Sequence, residues 1–342
     1  MSNLSIGSER KLVISFFMLV LLLIAWFSVR QVNRYLAPVN PFDRNPIEIN
    51  IAERSSTNQV SRLLAEKGLI RNQTFFVLYC RLRGYDARLQ AGLYQFRRSQ
   101  SMTEIVDDLV SGRVVTLNVT IPEGYTLKQI GELLVAKGIC SPQEWESALT
   151  RSYGFEFLRD IPPRENRLEG FLFPDTYRIR RDTTLDQMID LMLKRFKTVW
   201  DEQFAALARS RGWTAYRVVT VAAMIEKEAL YDSERPRIAG VLYNRLQAGM
   251  PLQVDATVLY SLGRHKERVT YADLDVDSPY NTYRHSGLPP GPIASPGAAS
   301  IKAALQPEKH EYYYYVATSD GHHMFSRTYA EHLRAKNRIQ GK

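Results

Sequence analysis

Two carboxylates interrupt a run that otherwise asks to be buried. In VAAMIEKEAL, Val221 to Leu230, an apolar stretch ends in Glu226, Lys227 and Glu228 before Ala229 and Leu230 resume it. On a helix the neighbours lie three and four residues away. For Glu226 these are Ala222, Ala223, Ala229 and Leu230; for Glu228 they are Met224, Ile225, Tyr231 and Asp232. This spacing gives Glu226 the apolar, mostly small surroundings and Glu228 a polar edge. A carboxyl in apolar surroundings keeps its proton towards neutral pH, as a general acid for glycosidic-bond cleavage requires. The competing expectation is a buried structural Glu226, satisfied by a backbone group or by Arg217 or Arg237. Two residues apart on a helix means about 200° round the axis, so the two glutamates cannot face one substrate. A second carboxylate would come from Asp255, Asp175 or Glu169, or one carboxyl would do both jobs.

Other chemistries find little support. GxSxG, HExxH and Gly-rich phosphate loops are absent, and the one Ser-x-x-Lys, Ser8 to Lys11, lies in the N-terminal tail. His322 and His323 are adjacent and would point opposite ways on a strand, a poor start for a metal site. No metal and no cofactor are expected. Cys80 and Cys140 are too few for a disulfide scaffold or a Cys-rich zinc site. The net charge of +9 favours anionic partners, but no Lys/Arg run resembles a nucleic-acid arm.

The elements that must position the carboxylates follow from the N-terminus. Leu12 to Val29 holds 18 residues without charge, flanked by Arg10 and Lys11 before and Arg30 and Arg34 after. That length fits one membrane-spanning helix, with Trp26 near an interface. No small-x-small cleavage site follows, so an uncleaved anchor is expected. Residues 1–11 form a tail, and 30–45, rich in proline, an extended linker. Residues 46–116 form a small α+β module. An internal repeat links 51–75 with 121–145 at a constant offset of 70: Glu53 matches Glu123, Gln59 matches Gln129, and Lys67-Gly68 matches Lys137-Gly138. Each copy reads as strand, turn, helix and glycine stop.

Residues 117–342 form the larger unit, containing the second copy. Asp182 to Arg209 reads as one or two helices and Tyr216 to Tyr231 as an apolar helix. Ser278 to Gly297, with five prolines, reads as a structured loop or lid rather than a core element. Glu311 to Thr318, EYYYYVAT, reads as a strand whose tyrosines alternate faces, so that packing explains them without a ligand. Helices and strands interleave without a regular βα beat, and the fold class is α+β.

MIEKEA, NRLQAGMPLQVDATVLY, YNTYRHSGLPPGPIASPG and EGFLFPDTY together resemble the endolytic murein transglycosylases, the MltG/YceG-like family. The resemblance runs over nearly the whole chain. It implies an N-terminal transmembrane helix, a LysM-like module and a mixed α/β catalytic domain. It implies a lytic cut between N-acetylmuramic acid and N-acetylglucosamine in nascent glycan, the 6-hydroxyl closing a 1,6-anhydro ring. By motif Glu226 is the catalytic residue, acid first and then base, which removes the need for a second carboxylate. Gln253, Asp255, Asn281 and Tyr283 are the implied substrate contacts, with Asn281 and Asp255 alternatively holding loops. Glu169 and Asp175 are expected to be structural. The implied partners are peptidoglycan strands, the inner membrane and peptidoglycan synthases, with the bulk of the chain periplasmic. A non-catalytic peptidoglycan-binding scaffold is the alternative.

Overall fold

The structure is a computed structural model that describes residues 5–162, 166–263, 266, 269–339 and 341, with side chains from residue 13 onward. Residues 1–4 of the expected tail lie outside the described residues. The chain divides into two compact units, Met1–Leu117 with Arg180–Asp182, and Asn118–Ile179 with Thr183–Lys342. Both mix helices with short two-stranded sheets.

In the first unit, helix α1 (Ser5–Leu36) contains the apolar stretch. Val13–Leu36, with a mean hydropathy of 2.3, is long and apolar enough to cross a membrane. The helix outruns the expected boundary at Val29. Nothing between Arg30 and Leu36 breaks it, and Pro38 disfavours helical backbone just before itself. The stretch that follows is also fastened rather than free. Tyr35 packs on Phe75 with ring centroids 5.1 Å apart. Arg71 donates to the carbonyls of Pro38 and Val39 at 2.7 and 2.8 Å, and Arg98 pairs with Asp43 at 3.0 Å.

The module then runs β1 (Ile47–Ile51), α2 (Thr57–Glu66), α3 (Gln73–Leu82), β2 (Gly92–Phe96) and α4 (Met102–Ser111). Strands β1 and β2 are antiparallel, with Ile49 opposite Tyr94. Ser56 caps α2 in a reciprocal box with Gln59, satisfying amides that a helix start leaves unpaired. Val60, Leu64, Phe76, Tyr94, Ile105 and Leu109 are fully buried and form the core.

The internal repeat is a repeat of structure. β3 (Thr116–Thr120), α5 (Leu127–Ala136), α6 (Pro142–Leu149) and β4 (Thr176–Arg180) restate the βααβ order, and β3 pairs with β4. Thr126 and Gln129 rebuild the capping box, while Ile130 and Leu134 take the buried places of Val60 and Leu64. Gly68 and Gly138 hold φ of 66° and 70°, the left-handed conformation that ends a helix cheaply only at glycine. The second copy has a longer stretch between its second helix and closing strand.

The second unit continues with α7 (Leu185–Val199), a wide turn at Trp200–Phe204, α8 (Ala205–Ser210), α9 (Ala215–Glu228), α10 (Arg235–Gln247), α11 (Asp255–Leu262) and α12 (Ala298–Leu305). β5 (Tyr314–Ala317) and β6 (His323–Ser326) form a hairpin against which α13 (Tyr329–Ile339) packs. Helices α8, α10, α11 and α12 surround α9, and Val218 through Ile225 are all buried. The proline-rich stretch is not a lid throughout. Gly291–Gly297 is buried, and Ser295 exchanges backbone hydrogen bonds with Gly124 and Tyr125 at 2.8 Å each. Small residues and prolines let this strand-like strap lie inside the unit with few donors left to satisfy. Cys80 and Cys140 are both free thiols.

Candidate active site

Because the middle of α9 is buried on all sides, it carries its charged groups only near its ends. Ala229, in extended backbone, stops the helix just after Glu228. Ala229 and Leu230 are therefore not helical neighbours of Glu226, and Leu230 is exposed. The expected apolar setting of Glu226 is not what forms. Its carboxylate pairs with Arg235 at 3.2 Å, both side chains nearly buried, and accepts the Gly297 N–H at 3.0 Å. Arg235 in turn holds Asp232 at 2.8 Å and donates to Ser300. The partner is Arg235, neither Arg217, which lies over Trp213, nor Arg237, which pairs with Glu308. The Glu226 carboxyl is thus ion-paired and hydrogen-bonded within the unit.

Glu228, on the opposite side of the helix end, has the environment expected of the acid. Burial, reinforced by the nearby Asp255 carboxylate, pushes its carboxyl up to about 7. Hydrogen bonds from the Tyr315 hydroxyl and the Ala256 N–H, at the start of α11, act against that rise without cancelling it. Desolvation disfavours the charged form, and a like charge adds to it. Tyr315 is itself pushed well above the usual phenol range by burial and by Glu228.

Glu228 lines a cleft of about 310 Å³ together with Arg245, Gln253, Asp255, Tyr283, Tyr313, Tyr314, Tyr315, His323, Tyr329 and His332. Three of the four expected substrate contacts, Gln253, Asp255 and Tyr283, thus gather around Glu228. Tyr283 donates its hydroxyl to Asp255, and Gln253 accepts from Arg245 at 3.1 Å. Gln253 has φ of 55°, uncommon for a side-chain-bearing residue and costing of order 1 kcal/mol or more, the kind of strain that collects at functional sites. Asn281 does not belong with them. It is fully buried, donates to the carbonyls of Leu274 and Val276 at 2.8 and 2.9 Å, and accepts the Tyr283 N–H at 3.0 Å. Fully buried with both its N–H donors used, this amide holds the loop that presents Tyr283.

Glu169 and Asp175 stand apart from the cleft. Glu169 accepts the Leu127 N–H at the start of α5 and the Tyr260 hydroxyl at 3.1 Å. Asp175 pairs with Arg195 at 2.6 Å.

Several cleft residues escape a reading of the sequence. Tyr313, Tyr314 and Tyr315 look like strand packing, yet all three line the cleft. Arg245 is buried and braces the walls, donating to Tyr313 and Leu252 carbonyls at 2.8 and 2.6 Å while lying 5.1 Å from the Tyr314 ring. His322 and His323 do not diverge. β6 begins only at His323, and both rings turn to Glu234. A period-two pattern misleads there because only one of the pair is in the strand.

A glutamate whose protonated form burial favours, set in a polar and aromatic cleft, makes this cleft the candidate acid–base site of an enzyme. The chain belongs to the YceG-like family, whose model matches residues 49–338. An endolytic murein transglycosylase of Bacillus subtilis is 34% identical over 316 residues, covering 89% of this chain and 87% of that protein. One of Streptococcus pneumoniae D39 is 30% identical over 362 residues, covering 95% of this chain and 65% of that protein. The crystal structure of a yceG-like protein from Listeria monocytogenes superposes with a TM-score of 0.59 at 34% identity, covering 85% of this chain and 99% of that one.

Proposed function

We propose that this protein is a peptidoglycan lytic transglycosylase with its general acid at the end of α9: Glu228 is the reading that the cleft supports, and Glu226, the position that the family motif marks, is the alternative. The observation that carries the assignment is the Glu228 carboxyl, raised to about 7, in one cleft with Gln253, Asp255 and Tyr283. The names of the relatives support the reaction class. An acid with its pKa near the working pH is both protonated often enough and strong enough to transfer its proton. Glu228 donates to the glycosidic oxygen between N-acetylmuramic acid and N-acetylglucosamine as the bond breaks. The muramoyl 6-hydroxyl closes on C1 to give a 1,6-anhydro end, so no water is consumed.

The tyrosines offer flat faces to sugar rings, and Gln253 and Asp255 offer hydrogen-bonding groups to hydroxyl and N-acetyl substituents. Glu226, with Arg235 and Gly297, fixes the end of α9 and so positions Glu228. The first unit, with its βααβ order, is LysM-like and holds glycan. Helix α1 anchors the chain in the cytoplasmic membrane with the cleft outside, where new strands emerge and wall synthases are neighbours.

Full-length protein in detergent, incubated with uncrosslinked glycan and followed by mass spectrometry, tests the proposal. Internal cuts with anhydro ends are expected. Reducing ends carrying solvent oxygen would make it a hydrolase, and intact strands would make it a binding scaffold.

A further inference from the structure

The outer edge of β5 has no role in the assignments above. β5 pairs with β6 alone, so one side of the strand is bonded and the other is not. The register fixes which residues face which way. The Thr318 N–H donates to the His322 carbonyl at 2.7 Å, and these two positions continue the pairing of Ala317 with His323. Along an antiparallel ladder, pairs that exchange hydrogen bonds alternate with pairs that do not. Thr318, Val316 and Tyr314 therefore turn their backbone groups to β6, and Tyr315 and Ala317 turn theirs outward. The Tyr313 carbonyl also points outward, where Arg245 donates to it at 2.8 Å and closes that end of the edge. The outward N–H and C=O groups of Tyr315 and Ala317 have no partner among the described residues.

This edge opens into the cleft of Glu228. A strand that turns one face to a cavity contributes every second residue. Here the consecutive residues from Tyr313 to Ala317 all line the cleft. On one face of the hairpin Tyr314 stacks with His332 of α13, ring centroids 5.5 Å apart; on the other Tyr315 stands edge-on to His323 at 5.3 Å. All four rings line the same cleft, so it runs round the β5 edge from face to face. Natural sheets guard an open edge with charge or proline. Tyr314–Ala317 carries neither. The Tyr315 hydroxyl bonds Glu228, which puts the open edge one side chain away from the proposed acid.

Building on the transglycosylase reading, we propose that the β5 edge binds the stem peptide of the muramoyl residue being cleaved, as an added extended strand. In murein a muramoyl residue carries a short peptide on its lactyl group. A glycan seated with its scissile oxygen at Glu228 brings that peptide into the same cleft. An extended peptide offers N–H and C=O groups along one edge at every second residue, which is the spacing of Tyr315 and Ala317. Main-chain pairing of this kind gives affinity without reading the peptide's side chains. Arg245 ends the added strand at Tyr313. The preferred substrate is then peptide-bearing rather than bare glycan.

The test uses full-length protein in detergent and two uncrosslinked glycans, one with its stems and one stripped of them by an amidase that cuts at the lactyl group. The wild type is expected to cleave the stem-bearing glycan with a kcat/KM at least about 10-fold higher. Ala317→Pro removes one outward N–H and no bond to β6, a change that an edge strand tolerates. It is expected to bring kcat/KM on stem-bearing glycan down to that on stripped glycan. Hydrogen exchange gives a reading independent of that variant: in Glu228→Gln protein, stem-bearing glycan should slow exchange at the Tyr315 and Ala317 amides, and stripped glycan should not. Equal wild-type rates on the two glycans overturn the proposal, as does a folded Ala317→Pro protein that keeps the full preference. Protection that appears without glycan and grows with protein concentration puts a second copy of the chain on the edge and overturns it too. Failure of the transglycosylase reading itself is distinguishable, because the wild type would then release anhydro ends from neither glycan.

Discussion

Replacing Glu228 by Gln separates the two glutamates more sharply than any other change. The carboxyl rises from an ordinary 4.5 to about 7 in the folded protein. At about 1.4 kcal/mol per pH unit, that difference corresponds to about 3 kcal/mol. The folded state holds this proton to higher pH than the unfolded chain does. Its stability contribution is therefore fully present below 4.5 and is lost as pH rises towards 7. Gln does not titrate, so Glu228→Gln should gain about 2–3 kcal/mol over wild type between pH 5 and pH 8.5. Its glycan cleavage should fall by at least ~100-fold.

Glu226→Gln should do the reverse. It breaks a buried pair, which costs ~3–5 kcal/mol when the surviving charge is stranded. Here Arg235 keeps Asp232 and Ser300, and a loss of about 2 kcal/mol is expected. Cleavage per folded molecule should survive. The assays are denaturation midpoints at the two pH values and mass spectrometry of digested glycan. A folded, inactive Glu226→Gln beside an active Glu228→Gln would refute the reasoning and return the acid to Glu226.

The pH dependence should respond to the neighbours of Glu228 in opposite directions. Activity that needs the protonated acid should decline as pH rises through about 7 in the wild type. Tyr315→Phe removes a hydrogen bond that lowers the carboxyl and should move that limb to higher pH; Asp255→Asn removes a charge that raises it and should move the limb lower. Asn281→Ala strips a fully buried amide of its loop contacts, and should cost about 1–3 kcal/mol with KM little changed in the folded protein. Gly131→Ala would drive a methyl into the Trp145 indole, prising α6 off α5, and a thermal midpoint lowered by an overpacking cost of about 1–3 kcal/mol is expected.

Local periodicity carried the repeat and the glycine stops, because each depends on residues within a few positions of one another. The motifs carried the family and three of the cleft residues. The amino-acid order also announced that carboxylates at the end of an apolar helix had to mean something, and that two residues of separation would send them to different places.

Which of them faces the cleft was not decidable from the sequence. Helical neighbours made Glu226 the apolar one, but the helix stops at Glu228, and the groups that reach Glu226 come from Arg235 and Gly297, the latter 71 residues away. The groups that shift Glu228 in either direction lie on α11 and β5, and the carboxylate that fixes His323 lies 89 residues before it. A pKa is a sum over whatever the fold brings within a few ångströms, and chain spacing reports only the share that comes from the residue's own helix.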